Sequence, residues 1–461
     1  MASHSLIELL KRGGLKVAVL GLGRIGLPTA IMFARAGAYV AGLDVDPRVV
    51  DSVNKGVCRF VDEPGLAELL SEVVESGRLK ATLNPSEALR GSHVYVICVP
   101  TPVDENRVPD YRAVESAAEE VGRHLDEGAL VIVESTVGPG DVEELVVPRL
   151  ESASGMKAGS QFHVASCPER ADPGRVLECL TTVPRIVGGL TPTCTKLAAE
   201  LYKEVFKVGV IEVSNPRTAN AVKITENVFR DVNIALMNEL AMLYEKLDVD
   251  VFEVIEACAT KWNFVPHYPG PGVGGPCLPA NPYYLITKAM RASFIPYLVR
   301  VAREINDRMP EHVATLVLKA LNMAGRSIKG SKVTVLGASY KPNVKDLQLS
   351  PSIRLVDLLL ELGAEVMIYD PYFQGEYIPH VGLTCAPSID EAVKGASCLV
   401  LAVRHASFKE LNLKWLFSLM KPPPVVVDAV GLVKPSSLPS SVIYLGVGRS
   451  PLRNKRDIMA I

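Results

Sequence analysis

The stretch GPGVGGPCLPANPYYL, residues 270–285, frames a single thiol, Cys277, with glycine and proline. A core cysteine needs no such frame, because packing alone holds an inert buried thiol, whereas a thiol that reacts must stay reachable. Gly274 and Gly275, just before the thiol, are candidate substrate contacts. A second polar group stands at Lys223, Asn227 and Arg230, positions i, i+4 and i+7, which project from one side of a helix. A solvated helix face is one reading of that spacing. The other is an ammonium and an amide aimed at the loop thiol, lowering its pKa and supplying donors to an oxyanion. The two readings separate on whether Cys277 lies near that helix.

Gly21, Gly23 and Gly26 form G-x-G-x-x-G around Arg24 and Ile25, directly after the strand-like run KVAVLG and at the start of a helical run. The first glycine permits a tight turn, the second lets backbone approach a pyrophosphate, and the helix N-terminus offers unpaired N–H groups. Asp44, about twenty residues on, suits the ribose hydroxyls and would repel a 2′-phosphate, so the cofactor expected is NAD. Arg48 could touch a phosphate, although a solvated arginine at a helix start is the plainer reading. Thr101, closing VYVICVPT, is a further cofactor candidate.

These residues need elements to position them. KVAVLG, IGLPTAIMFARAG and YVAGLDVD follow the β-α-β grammar of a parallel sheet, with more strands at VYVICVP, ALVIVEST, FHVASCP and RIVGG. From about Ser214 the grammar changes to one long helix through SNPRTANAVKITENVFRDVNIALMNELAMLYEKL, and helical sequence continues through VFEVIEACA and YLVRVAREINDRM. Strands return at Lys332, where VTVLG and LGAEVMIYDPY echo VAVLG and AGAYVAGLDVDP, each pair closing on an acid, Asp44 or Asp370. The second half carries a longer loop, ASYKPNVKDLQLSPS, in place of the glycine fingerprint. The expected fold is α/β, two Rossmann-like doubly wound domains joined by an all-helical middle: residues 1–200 binding NAD, 201–325 helical, and 326–461 Rossmann-like.

Bulk properties narrow the partners. The chain has 461 residues, 49 basic and 51 acidic, interspersed, so no field builds up for nucleic acid or an anionic membrane. The start, MASHSLIELLKRGG, lacks the order of a secretory signal, and no apolar run approaches the roughly 20 residues of a membrane span. Nine cysteines without CxxC pairs or histidine partners at metal spacing indicate neither a disulfide framework nor a metal site. A cytoplasmic protein acting on small molecules fits best.

ITENVFRDVNIALMNEL, REINDRMP, SCPER, ESTVGPG, PRIVGG and GPGVGGPC, in that company, resemble the nucleotide-sugar 6-dehydrogenases, the group of UDP-glucose, GDP-mannose and UDP-N-acetylhexosamine dehydrogenases. The likeness runs from about residue 15 to about 430, and TENVFRDVNIALMNELA with PGPGVGG looks most like the UDP-N-acetylhexosamine (UDP-ManNAc or UDP-GlcNAc) branch. It implies oxidation of a sugar C6 alcohol to a carboxylate with two NAD per turnover, Cys277 carrying a thiohemiacetal and then a thioester. By the same likeness the last domain binds the UDP of the substrate, and the long helix makes a homodimer interface. Lys223 and Asn227 would stabilise the oxyanion or orient water, Glu169 of SCPER would serve hydrolysis, and Thr136 of ESTV would hold water beside the nicotinamide. Arg170, Arg230, Lys261 and Lys341 join Glu169, Lys223 and Asn227 as substrate contacts, Lys261 across the dimer and Lys341 toward the UDP phosphates.

The match departs from the family around the substrate. Asn281 stands where an acid is usual, four residues after the cysteine, and remains a catalytic candidate although a proton acceptor for the first oxidation is lost. Pro276 replaces a histidine frequent in the branch, Gln348 an arginine, Arg404 an acid and Ala429 a threonine. The alternatives are a UDP-glucose 6-dehydrogenase, a catalytically drifted NAD- and UDP-sugar-binding protein, and an ordinary two-electron β-hydroxyacid dehydrogenase, which would have no use for a second Rossmann half.

Overall fold

Alternating apolar runs give this chain two parallel sheets. The computed structural model describes residues 2–449, with side chains from residue 6; residue 1 and residues 450–461, the outer ends of the first and last expected domains, lie outside it. The chain divides into two compact units, one reaching to Glu226 and including Tyr283–Ile295, the other made of Asn227–Pro282 and the chain from Pro296 onward.

The first unit holds strands β1 (Lys16–Leu20), β2 (Tyr39–Leu43), β3 (Leu79–Thr82), β4 (Val94–Ile97), β5 (Leu130–Val133), β6 (His163–Ser166), β7 (Arg185–Gly189) and β8 (Val210–Val213). They form one sheet in the order β3-β2-β1-β4-β5-β6-β7-β8, parallel throughout except where β7 runs against β6. Successive side chains of a strand face opposite ways. Val17 and Val19 of β1 therefore enter one core with Leu27, Ile31 and Phe33, while Ala18 and Leu20 enter the other with Ile97, Val131 and Val133. A sheet buried on both faces must read as a continuous apolar run, as β4 and β5 do. The order reverses between β1 and β4, and a ligand crevice lies outside the strand ends at such a switch.

In the second unit, β9 (Lys332–Leu336), β10 (Glu365–Tyr369), β13 (Cys398–Leu401), β14 (Val425–Asp428) and β15 (Ile443–Gly446) form a parallel sheet in the order β10-β9-β13-β14-β15. A short antiparallel pair, β11 (Tyr377–Ile378) and β12 (Leu383–Thr384), follows β10. Between the sheets the chain is helical: Pro216–Leu247, Val251–Cys258, Asn281–Arg291, Tyr297–Asp307 and Met309–Met323. The first of these has 32 residues and is about 48 Å long at 1.5 Å per residue. The structure thus has the α/β class, the two Rossmann-like sheets and the long helix expected from the sequence. None of its described helices is long and apolar enough to cross a membrane.

Candidate active site

The glycines of the first loop have three separate reasons to be glycine. Gly21 has φ +89°, and a Cβ there would sit 2.7 Å from the Cys98 carbonyl oxygen. At Gly26 a Cβ would fall 1.8 Å from the Gly21 carbonyl oxygen, so this glycine lets helix Gly26–Arg35 pack on the loop. At Gly23 a Cβ would meet nothing within 4 Å. Packing does not require that glycine; the space beside it fits a pyrophosphate drawn up to the backbone. Asp44 accepts the Leu22 N–H at 2.8 Å on one oxygen and the Asp46 N–H at 3.0 Å on the other. Each oxygen keeps a lone pair, and the residue is half-exposed, so ribose hydroxyls can reach it.

Other cofactor candidates are placed as follows. Arg24 is held by Asp62 at 2.9 Å and lies over the Phe60 ring, and Ile25 is the half-buried residue before the helix. Arg48 is exposed and paired with Asp46 at 2.8 Å, which pulls the Asp46 carboxyl down to about 2. That is the solvated helix-start arrangement, not an arm over the loop. Thr101 donates its hydroxyl to the Thr136 carbonyl at 2.8 Å, tying the ends of β4 and β5 together, and the Tyr284 hydroxyl donates to the Thr101 carbonyl.

Behind Thr136 lies a buried charge cluster. Arg185, the first residue of β7, is fully enclosed between Glu134, at 2.6 Å, and Glu169. Glu134 also accepts from Tyr202 at 2.8 Å, Thr29 at 3.0 Å and the Cys98 thiol at 3.2 Å. Glu169 also takes the N–H groups of Arg170 at 2.7 Å and Ala171 at 2.6 Å. Burial pushes both carboxyls up. At Glu134 burial prevails, whereas at Glu169 the Arg185 guanidinium, the Lys223 ammonium and the backbone donors outweigh it and hold the group below the usual carboxylate range. Glu169 is therefore a carboxylate at neutral pH, able to accept a proton. Lys223 is itself buried, on the long helix. Arg170 turns elsewhere, donating to Glu226 at 3.1 Å and to the Pro184 carbonyl at 2.6 Å.

The thiol frame belongs to the second unit. Gly275, at φ +92°, donates its N–H to the Gln348 carbonyl at 2.9 Å, and a Cβ there would lie 2.6 Å from the Tyr340 ring. A Cβ on Gly274 would meet the Leu349 carbonyl oxygen at 2.6 Å. The two glycines are thus fixed against the loop that carries Lys341. The Cys277 carbonyl accepts the Asn281 N–H at 2.8 Å, turning the chain into helix Asn281–Arg291 and leaving the thiol half-exposed. Asn227 donates to the Asn281 amide oxygen at 2.5 Å, and both side chains are buried. A polar chain anchors the frame from below: Asn238 of the long helix accepts the Gly270 N–H at 2.9 Å and donates to Asn306 at 2.9 Å, and Asn306 in turn donates to Asp231, which pairs with Arg303 at 2.5 Å. Arg230 and Lys261 are exposed. Arg230 therefore lacks the burial of Lys223 and Asn227 despite the shared spacing.

The second sheet repeats the first down to its hydrogen bonds. Gly337 N–H meets the Tyr369 carbonyl as Gly21 N–H meets that of Leu43, both at 2.8 Å, and Asp370 accepts the Ala338 N–H as Asp44 accepts that of Leu22. Asp370, however, also takes the Ser339 N–H and hydroxyl, the Tyr372 N–H and His405 Nε2, and it is fully buried. No ribose can reach it. Of the two sheets, the first carries both the glycine loop and the open strand-end acid that a dinucleotide uses, and the class so defined is an NAD-dependent oxidoreductase.

Comparison with known proteins narrows that class. Three profiles of one family match in order: the NAD binding domain over residues 15–206, the central domain over 217–308 and the UDP binding domain over 334–435. The chain belongs to the UDP-glucose/GDP-mannose dehydrogenase family, a family of NAD-dependent nucleotide-sugar dehydrogenases. It is 40% identical to a UDP-N-acetyl-D-mannosamine dehydrogenase of Pyrococcus horikoshii, over 94% of this chain and 99% of that one. A UDP-N-acetyl-D-glucosamine 6-dehydrogenase of Pseudomonas aeruginosa is 34% identical over 90% and 96%. A solved structure of UDP-D-ManNAc dehydrogenase from Pyrococcus horikoshii superposes with a TM-score of 0.87 at 39% identity, covering 94% of this chain and 99% of that one.

Arg185 and Glu134 were not among the sequence candidates. Their signal was present, a charge opening the apolar run RIVGG and another closing LVIVE, but it does not say that the two meet.

Proposed function

We propose that the chain is a UDP-N-acetylhexosamine 6-dehydrogenase, acting on UDP-ManNAc or UDP-GlcNAc as a homodimer in the cytoplasm. The names of its relatives support the sugar class. The observation that carries the chemistry is Cys277, half-exposed in a frame that holds the backbone around it by Gly275, Gly270 and Asn281. Two NAD molecules, bound in succession at the Gly21–Gly26 loop and Asp44, would each accept one hydride, the first from the alcohol and the second from the thiohemiacetal. Cys277 attacks the intermediate aldehyde and retains it as a covalent adduct until water releases the acid. Lys223 and Asn227 supply donors to the oxyanion, and Thr136 holds water. Glu169, ionised and aimed by Arg185, takes the proton of the hydrolytic water. Arg170, Arg230, Lys261 and Lys341 remain proposed substrate contacts, Lys261 reaching a partner subunit. The division into residues 1–200, 201–325 and 326–461 is likewise proposed as one of roles: cofactor, thiol frame and dimer, and UDP.

A drifted NAD- and UDP-sugar-binding protein is the second reading, favoured by the amide pair Asn227–Asn281, which puts no carboxylate beside the thiol turn. Steady-state NADH formation with a panel of UDP-sugars separates the two. The enzyme yields two NADH per carboxylate with an N-acetylhexosamine substrate; a binder yields none with any sugar, and UDP-glucose as the best substrate would redirect the assignment.

A further inference from the structure

We infer that His405 is a positioning residue for the nucleotide sugar: it locks the loop that carries Lys341. The inference rests on the proposed role of that loop in holding UDP. The His405 ring is fully buried between Tyr372 and Phe408, with centroids 5.6 and 5.1 Å away. Both its nitrogens are engaged. Nδ1 accepts the Asn343 N–H at 3.1 Å, so Nε2 carries the proton and donates it to Asp370 at 3.1 Å. Asn343 closes the ring of contacts, accepting the Ala406 N–H on its side-chain oxygen at 2.9 Å from a left-handed backbone at φ +61°.

The segment of the loop from Ala338 to Asn343 is therefore pinned at both ends by one buried pair. Asp370 holds the end at Ala338 and Ser339, and His405 holds the end at Asn343. Lys341 lies between the two pins. Asp370 thus holds the loop where Asp44 remains open to a ribose, and the same strand-end acid does different work in the two sheets. The loop also runs on to Gln348, whose carbonyl takes the Gly275 N–H beside the thiol.

A histidine that only fills the core would affect folding and leave affinity alone. The two amide replacements distinguish the nitrogens: asparagine places its oxygen near Nδ1 and cannot reach Asp370, whereas glutamine places its NH2 near Nε2 and loses the acceptor for Asn343. UDP binding to the full chain by calorimetry, with KM and kcat for UDP-ManNAc and UDP-GlcNAc, tests this. His405→Gln is expected to weaken UDP and raise the sugar KM roughly tenfold, with kcat and the NAD KM changed less than about twofold, the size of effect one lost buried hydrogen bond supplies. His405→Asn should stay within about threefold of wild type in UDP affinity. Asn343→Gly, which keeps the left-handed backbone but removes the oxygen offered to Ala406, should weaken UDP about threefold and serves if the glutamine variant does not fold. Unchanged UDP affinity in a folded His405→Gln, or in Asn343→Gly, overturns the inference, as does a tenfold loss in His405→Asn. Failure of the wild-type chain to bind UDP overturns the functional reading, and this inference with it.

Discussion

Gly23 and Gly26 stand three residues apart and should fail in opposite ways. A methyl at Gly23 points into open space, so Gly23→Ala is expected to leave thermal stability unchanged and to raise the NAD KM about tenfold, because the added carbon occupies the approach of the pyrophosphate. A methyl at Gly26 meets the Gly21 carbonyl, and Gly26→Ala should lower stability by about 1–3 kcal/mol through forced backbone shifts. Thermal melts and NAD titration of the two variants check both. At this scale the sequence was legible wherever spacing alone carries the meaning, as at Gly21, Gly23, Gly26 and Asp44. It was silent where a side chain's partner comes from far along the chain. Glu134, Glu169 and Arg185 meet only because β5, β6 and β7 lie side by side. Arg230 shows the converse limit, since helical spacing gives direction but not burial.

Among the elements, β10, which leads directly into Asp370, offers a test by pH. Burial pushes this carboxyl up, yet hydrogen bonds from His405, Ser339 and Tyr372 overcome it and hold the group below its usual range. A carboxyl whose folded value is depressed adds stability above its unfolded value, about 3.9, and loses that contribution as pH falls through the folded value. The stability difference between wild type and Asp370→Asn in urea should therefore be constant between about pH 7 and pH 5 and shrink below about pH 4. A difference that persists unchanged at about pH 3 would contradict the assignment. The long helix was readable because 32 residues contain no glycine, and no proline after the first. The reversal of β7 was not, because an apolar run shows that a strand is buried but not which way it runs.

At the scale of the whole molecule, Phe229, Leu236, Leu243 and Leu247 form an exposed stripe at spacings of seven, seven and four along the long helix, each about half exposed. Such a stripe is the face expected to meet a second copy of the chain. Leu236→Asp together with Leu243→Asp should convert a dimer in sedimentation velocity to a monomer, and a wild-type chain that sediments as a monomer would remove the dimer from the proposal. The second Rossmann-like sheet was legible from the echo of VAVLG in VTVLG, whereas the sugar was not, because Asn281, Pro276 and Gln348 depart from the family where a substrate is read. The central claim is that the sulfur of Cys277 holds the substrate during its oxidation. Its most direct test is release of the carboxylate by Cys277→Ser, measured beside the wild-type chain with UDP-ManNAc and UDP-GlcNAc. The account predicts that wild type forms the acid and the variant, folded and binding NAD, forms none; acid production by the variant at the wild-type rate would contradict it.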